Sequence, residues 1–181
     1  NEYYTASMMT TAPFLYGAQP NMGLYFQPDG PHENPAELLP RGKIKEARDV
    51  QEAAAQQLRQ DLVFVGTKLN AIGCEGLNLD TGGSAGDADF LAALQAVRDL
   101  KKAAPNMPVI MGGSGEFVLG MHGEVEFNGR QLAGMYPHEQ AELAQFAGAS
   151  IYGVAIGTKT TESVAWNIAR AVTFVKAAVA A

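Results

Sequence analysis

Short apolar segments alternate along the chain with longer amphipathic ones, and this alternation restricts the fold more than any other feature of the sequence. Four apolar segments bounded by turn residues are predicted to be buried strands, at residues 13–17, 75–79, 108–111 and 150–156. Amphipathic helices are predicted at residues 44–72, 87–104 and 137–148, and from about residue 161 to the end. Strands that alternate with helices pair in parallel, and the crossover helices cover the sheet. The sequence therefore predicts an α/β fold.

Two architectures fit this alternation, an open doubly wound sheet and a (β/α)₈ barrel. A doubly wound nucleotide-binding sheet usually has a G-x-G-x-x-G turn after its first strand, where this chain has a long proline-rich loop. A complete barrel takes about 250 residues, so four β/α units in 181 residues predict about half of a TIM (β/α)₈ barrel. Residues 1–181 are then a single domain or a fragment of a longer protein. A fragment is favoured because the chain begins at Asn1 and stops within a helical pattern at Ala181.

An insertion at residues 122–134 separates the third predicted strand from the third predicted helix. Its apolar and polar residues alternate on either side of Asn128-Gly129, which is the strongest short-range signal for a hairpin. We therefore expect a hairpin at one end of the sheet.

The charge and the cysteine content limit the partners and the compartment. The net charge is −6 and the longest basic cluster is Lys101-Lys102, so nucleic acid is not an expected partner. No run reaches the roughly 20 apolar residues of a membrane helix, so no membrane is expected either. The single cysteine, Cys74, cannot form an internal disulfide, which fits a cytoplasmic protein. Cys74 is expected to fill a small space in the core, and Trp166 is expected to pack against the barrel.

The loops that follow the strands carry the candidate site residues, because both architectures bind ligands beyond the carboxyl ends of their strands. The first such loop, residues 21–35, is too rich in proline for a helix or central strand and too rich in aromatic residues for a disordered linker. Together with the preceding strand it contributes Tyr16, Asn21 and Tyr25. Asp80 ends the second predicted strand, where a carboxylate would point into a barrel mouth.

The glycines at positions 82, 83 and 86 leave two interpretations of the loop after Asp80. In the first, they allow the backbone to approach an anionic ligand at the N-terminus of the next helix. In the second, they form a flexible turn in which Asp87 or Asp89 caps that helix.

The loop after the third predicted strand combines an acid with a histidine. Glycines surround Glu116 and His122 follows in the same loop, so an acid and a base can converge there. His138 lies in the first turn of the third helix, where its imidazole either caps the turn or faces the mouth beside Tyr136 and Gln140. No spacing of a metal-binding motif occurs, so no metal site is predicted.

Five segments of the sequence, taken together and in their order, form a more specific pattern than any single glycine-rich turn. They are "FLYGAQPNMGLYFQPDGPHENP", "GLNLDTGGSAGDADF", "GEFVLGMHG", "LAGMYPHEQA" and "AWNIARAVTFVKAAV". In this order they resemble the dimethylamine:corrinoid methyltransferases of methylamine metabolism, which occur in methanogenesis. The resemblance covers essentially the whole chain but only the middle of the longer family sequence.

The resemblance implies a TIM barrel that assembles into a homo-oligomer and transfers a methyl group from dimethylamine to the cobalt of a separate corrinoid protein. The family also uses pyrrolysine, whose electrophilic imine holds and activates the amine, and this sequence contains no such residue. In the dimethylamine enzymes that residue is expected on a strand beyond the point where this chain stops.

The candidate residues suit a methylated amine. A methylammonium group is attracted by negative charge and aromatic faces, so Asp80, Tyr16, Asn21, Tyr25 and His138 are predicted to bind the substrate. The nitrogen that loses its methyl group needs a proton, and Glu116 and His122 are the predicted catalytic residues.

Two alternatives remain open. A phosphate-binding TIM-barrel lyase or aldolase would bind an anion at Gly82 and Gly83 and use Lys159 as an electrophile. A non-catalytic docking or assembly module would use the same fold without chemistry.

Overall fold

A three-stranded parallel sheet lies at the centre of the computed structural model, which describes residues 22–79, 86–114, 117–120, 123–155 and 163–181. The strands are β1 (Leu77–Leu79), β2 (Val109–Ser114) and β5 (Ile151–Ala155), in the order β1-β2-β5. Met111 pairs with Leu79 on one side and with Tyr152 on the other. The predicted α/β fold with a parallel sheet is confirmed. No barrel is closed among the described residues.

One α-helix follows each strand of this sheet. These helices are α3 (Asp87–Ala103) after β1, α4 (Pro137–Ala147) after β2 and its hairpin, and α5 (Ala165–Ala180) after β5. The long helix α2 (Ile44–Ala71) precedes β1. A short helix α1 (Pro35–Leu38) and two 3₁₀ turns, Met22–Tyr25 and Leu39–Arg41, lead into α2.

Most predicted boundaries agree with the structure, and the differences have local causes. Helix α2 ends before Gly73, which adopts a positive φ of 85° as a glycine after a helix often does. Strand β2 extends three residues beyond its predicted end at Met111, because pairing with β5 continues through Ser114. Helix α5 begins only at Ala165, because the preceding Val164 has an extended backbone. The first predicted strand, 13–17, lies outside the described residues.

The hydrophobic core lies between one face of the sheet and the helices. Leu79 and Met111 are fully buried, whereas Asn78 and Ile151, which point to the opposite face, are exposed. Helices α2 and α3 pack closely, since a side chain on Gly66 of α2 would overlap Leu100 of α3. The described helices therefore cover one face of the sheet, and the other face is open within the described residues.

The predicted hairpin is confirmed. Strands β3 (Glu126–Phe127) and β4 (Arg130–Gln131) pair antiparallel around Asn128 and Gly129, whose φ angles are 52° and 71°. Two successive positive φ angles define the type I′ turn that suits a two-residue hairpin. Arg130 attaches the hairpin to α4 through Glu142 at 2.7 Å and Glu139 at 3.4 Å.

Two residues that were predicted to pack in the interior are exposed. Cys74 lies in the turn after α2, where its thiol donates a hydrogen bond to the carbonyl of Gly76. Trp166 is 69% exposed in the first turn of α5, and the guanidinium of Arg170 lies 5.8 Å from its ring centroid. Both predictions were wrong because composition alone does not reveal the direction of a side chain next to a helix end.

The helices of the described part of the chain include none with the length and apolar character needed to span a bilayer.

Candidate active site

At the carboxyl edge of the sheet, the N-terminus of α3 contacts the loop after β2. The backbone N–H of Asp87, the first residue of α3, donates to the carbonyl of Leu119 in the loop after β2 (2.8 Å). The side chain of Asp87 accepts a second hydrogen bond from the N–H of Gly123 in the same loop (2.7 Å). The N-terminus of α3 therefore lies against the loop after β2.

Asp87 is completely buried at the N-terminus of α3. Its second carboxylate oxygen accepts a hydrogen bond from the N–H of Ala88 at 3.1 Å. The N-terminal end of a helix carries a partial positive charge, which favours a carboxylate in this position. Asp89, in the same first turn, is also completely buried. The N-cap residue is Gly86, and Asp87 binds the loop after β2 as well as the N–H of Ala88. The interpretation as a glycine-rich anion site stays a prediction, because Gly82 and Gly83 lie outside the described residues.

Gln140, in the first turn of α4, lies beside the end of β2. Its side-chain oxygen accepts hydrogen bonds from the N–H of Ser114 (3.0 Å) and the hydroxyl of Tyr152 (2.8 Å). Its side-chain nitrogen donates to the carbonyl of Met135 (2.9 Å). Burial raises the pKa of Tyr152 above its usual value, so the hydroxyl stays protonated as a donor. One fully buried amide thus joins β2, β5 and the segment before α4.

The middle of the loop after β2 is held by backbone hydrogen bonds. Val118, which is fully buried, donates to the carbonyl of Met135 (3.1 Å) and accepts from the N–H of Gly134 (2.8 Å). Residues 117–120 therefore pack on the segment that follows the hairpin. This part of the rim is built from ordered backbone contacts.

Five of the seven predicted site residues lie outside the described residues. They are Tyr16, Asn21, Asp80, Glu116 and His122, and Lys159 of the alternative function is outside as well. Their roles stay predictions.

The two described site residues, Tyr25 and His138, are attached to different helices. Tyr25 is buried against α2, and its hydroxyl donates a hydrogen bond to Asp61. His138, in the first turn of α4, stacks on Tyr136 with ring centroids 6.3 Å apart and an interplanar angle of 9°. The cap of α4 is instead provided by Glu139, whose carboxylate accepts from the N–H of Tyr136. His138 thus lies beside the Tyr136 ring, and its orientation towards the mouth stays a prediction.

The sequence indicated Asp87 only as a possible helix cap and Gln140 only as a neighbour of His138, and it predicted no contact of either with the loop after β2. A signal for Gln140 exists, because it lies on the buried stripe of α4 with Leu143, Ala144 and Ala147. A polar residue in an apolar stripe needs partners for its hydrogen-bonding groups. For Asp87 the sequence offers only the general preference of carboxylates for a helix N-terminus.

The described residues include no group of three or more His, Cys, Asp or Glu side chains that would hold a metal ion. The contacts that the structure describes at the rim are backbone and side-chain hydrogen bonds.

The family model described as dimethylamine methyltransferase (Dimeth_PyL) matches residues 2–181. No solved structure matches the chain significantly.

Proposed function

Because the chain belongs to the dimethylamine methyltransferase family, we propose that the intact protein transfers a methyl group from dimethylamine to the cobalt of a separate corrinoid protein. The observation that carries this proposal is the match of the family model to nearly the whole chain, residues 2–181. The parallel arrangement of β1, β2 and β5 supports it, since the loops with the predicted site residues then leave the sheet at one edge.

The proposed architecture is about half of a TIM barrel, with the remaining strands supplied by other parts of the protein. Three features of the described residues support it: parallel strands in chain order, a helix after each strand, and helices packed on one face of the sheet. Ile151 on the open face is 56% exposed, as expected for a position that further strands would cover. We also propose that the protein assembles into a homo-oligomer in the cytoplasm.

The proposed reaction is a nucleophilic displacement in which the two substrates are dimethylammonium and the Co(I) corrinoid. Cobalt supplies the electron pair of the new Co–C bond, the C–N bond breaks with its pair moving to nitrogen, and neutral methylamine leaves. The nitrogen must carry a proton when the bond breaks, so the protein has to orient the cation and keep it protonated. We assign no step to pyrrolysine, which does not occur in this sequence.

The predicted site residues are proposed to have different roles in this reaction. Glu116 and His122 are proposed to hold the proton on the nitrogen, and Asp80 to attract the ammonium from the neighbouring strand end. Tyr16, Asn21, Tyr25 and His138 are proposed to line the amine site. Aromatic rings suit a methylated ammonium, because their faces attract cations.

The test follows consumption of the Co(I) corrinoid spectroscopically, with the intact protein, its corrinoid protein and dimethylamine. Glu116→Gln removes the negative charge of the carboxylate, and any carboxylic proton, while nearly preserving shape, and we expect the rate to fall about 10²-fold or more. Asp80→Asn should mainly raise the apparent KM for the amine. Glu124→Gln is the matched control, since Glu124 is an exposed acid in the same connection and its neutralisation should leave the rate unchanged.

Two outcomes contradict the proposal. An unchanged rate in Glu116→Gln removes this residue from the chemistry. Methyl transfer from a quaternary amine alone, with none from dimethylamine, keeps the corrinoid reaction but overturns the assigned substrate.

A further inference from the structure

We propose that Asp87 and Gln140 are positioning residues that fix the two ends of the loop after β2. The inference rests on the proposed function, because the predicted catalytic residues Glu116 and His122 lie between the two fixed points in the sequence. Neither side chain is proposed to touch the amine or the corrinoid. Each acts through a backbone N–H at one end of the loop.

The first fixed point is Ser114, the last residue of β2. Its N–H donates to the side-chain oxygen of Gln140 at 3.0 Å. The amide of Gln140 is itself held by Tyr152 and by the carbonyl of Met135, so its orientation is determined by three hydrogen bonds. A buried amide with three partners has one favourable orientation, which it imposes on the end of the strand.

The second fixed point is Gly123, one residue after His122. Its N–H donates to the carboxylate of Asp87 at 2.7 Å, a length typical of a hydrogen bond to a charged acceptor. Asp87 also binds the loop through its own N–H, which donates to Leu119. Because Asp87 begins α3, the loop is attached to a rigid helix that packs along α2.

The two anchors matter for the chemistry because they position the loop that contains the predicted catalytic residues. Eight residues, 115–122, separate the two fixed points, and both anchors are fully buried, so water cannot replace them easily. If either anchor is lost, the loop end gains freedom. A displacement of about 1 Å at a reacting group can reduce a rate about 10²-fold.

The test uses five variants of the intact protein: two remove an anchor, two replace an anchor conservatively, and one is a control. Asp87→Ala removes the acceptor for Gly123, and Gln140→Leu removes the acceptor for Ser114. Asp87→Asn keeps one acceptor oxygen, and Gln140→Glu keeps an acceptor for Ser114 and Tyr152 while losing the donor to Met135. Gln145→Leu is the matched control, because Gln145 is exposed on the same helix as Gln140.

The first measurement is amide hydrogen exchange in the peptide that spans residues 114–123, which requires neither amine nor corrinoid. We expect Asp87→Ala and Gln140→Leu to accelerate exchange there by about 10-fold or more, with unchanged exchange in α2. The conservative variants should retain most of the protection, and Gln145→Leu all of it. If Asp87→Ala and Gln140→Leu do not fold, Asp87→Asn and Gln140→Glu still test the proposal. Each should accelerate exchange to a smaller extent, and only in this peptide.

The second measurement is methyl transfer, where the disruptive variants should lower kcat about 10-fold to 10²-fold with a smaller change in KM. Unchanged exchange in this peptide, or faster exchange with unchanged kcat, overturns the positioning role. Absence of methyl transfer in the unaltered protein overturns the proposed function instead, and the exchange measurement then still decides whether the anchors fix the loop.

Discussion

The hydroxyl of Tyr25 donates a hydrogen bond of 2.7 Å to the carboxylate of Asp61, 36 residues further along the chain. It attaches the proline-rich segment to the long helix α2. Tyr25 is only 6% exposed, and Met22 beside it is also buried. From Met22 onwards the segment is therefore part of the packed structure and has an anchor of its own on α2.

Replacement of Tyr25 by Phe should destabilise the protein by about 1–2 kcal/mol, because a buried hydrogen bond to a carboxylate is lost. The aromatic ring remains, so the apparent KM for the amine should not change. Urea unfolding measures the first effect and steady-state methyl transfer the second.

Asp61→Asn is the control for this bond, since it keeps an acceptor oxygen and should cost less than Tyr25→Phe. A raised KM in Tyr25→Phe with unchanged stability would instead place the hydroxyl in the amine site.

Alkaline pH should destabilise the protein through Tyr25 and Tyr152. Burial raises the pKa of both, and for Tyr25 the hydrogen bond and negative charge of Asp61 raise it further. Above about pH 10, the unfolded chain loses these protons while the folded protein retains them. The free energy of unfolding should therefore fall as the pH rises above 10. Urea titrations between pH 8 and 11 should show a shallower fall in Tyr152→Phe, and an equal slope would contradict this assignment.

The fold was predictable where one sequence pattern decides one local structure. Gly73 and Gly148 end helices with positive φ angles, and Asn128-Gly129 forms the expected hairpin turn. These features depend on local sterics, which a sequence expresses directly. The burial of Cys74 and Trp166 was not predictable in this way, because it depends on which elements pack around them.

The sequence predicts at which edge of the sheet the candidate site lies, but it does not predict the contacts that support this edge. Parallel strands place their following loops at one edge, so the alternation of elements suffices to locate the rim. Asp87 and Gln140 act on residues that are 36 and 26 positions away. No local pattern encodes such pairs, which exist only once β2, α3 and α4 have packed.

Acidic pH should weaken the contact between α2 and α3 through Asp99. Burial alone would raise the pKa of Asp99, but hydrogen bonds and charges from Arg59 and Lys102 outweigh it and hold the pKa below its usual value. A depressed pKa contributes stability above the unfolded value of about 4, and this contribution is lost as the pH falls below it. Arg59→Met should cost about 1 kcal/mol at pH 7 and reduce the acid dependence.

Lys102→Met is the control for this ion pair, because the Lys102 side chain is 70% exposed and its contribution should be smaller. Urea titrations from pH 3 to 7 compare the two variants. An acid dependence that Arg59→Met leaves unchanged would show that other groups cause it.

Gly113 lies so close to Tyr152 that a side chain there would disturb the interior around Gln140. A methyl group on Gly113 would lie 1.9 Å from the Tyr152 hydroxyl oxygen and 2.5 Å from the ring carbon that bears it. The ring must move, and the hydroxyl then leaves Gln140, so Gly113→Ala should destabilise the protein by about 1–3 kcal/mol. Gly153→Ala on the neighbouring strand is the matched control, since its nearest atom would be 3.9 Å away, and its effect should be within about 1 kcal/mol.

Urea unfolding compares the two variants. The double variant Gly113→Ala with Tyr152→Ala should lose less stability than the sum of the two single variants, because the overlap is gone. Equal costs for the two glycine replacements, or simple additivity in the double variant, would mean that Tyr152 does not confine this position.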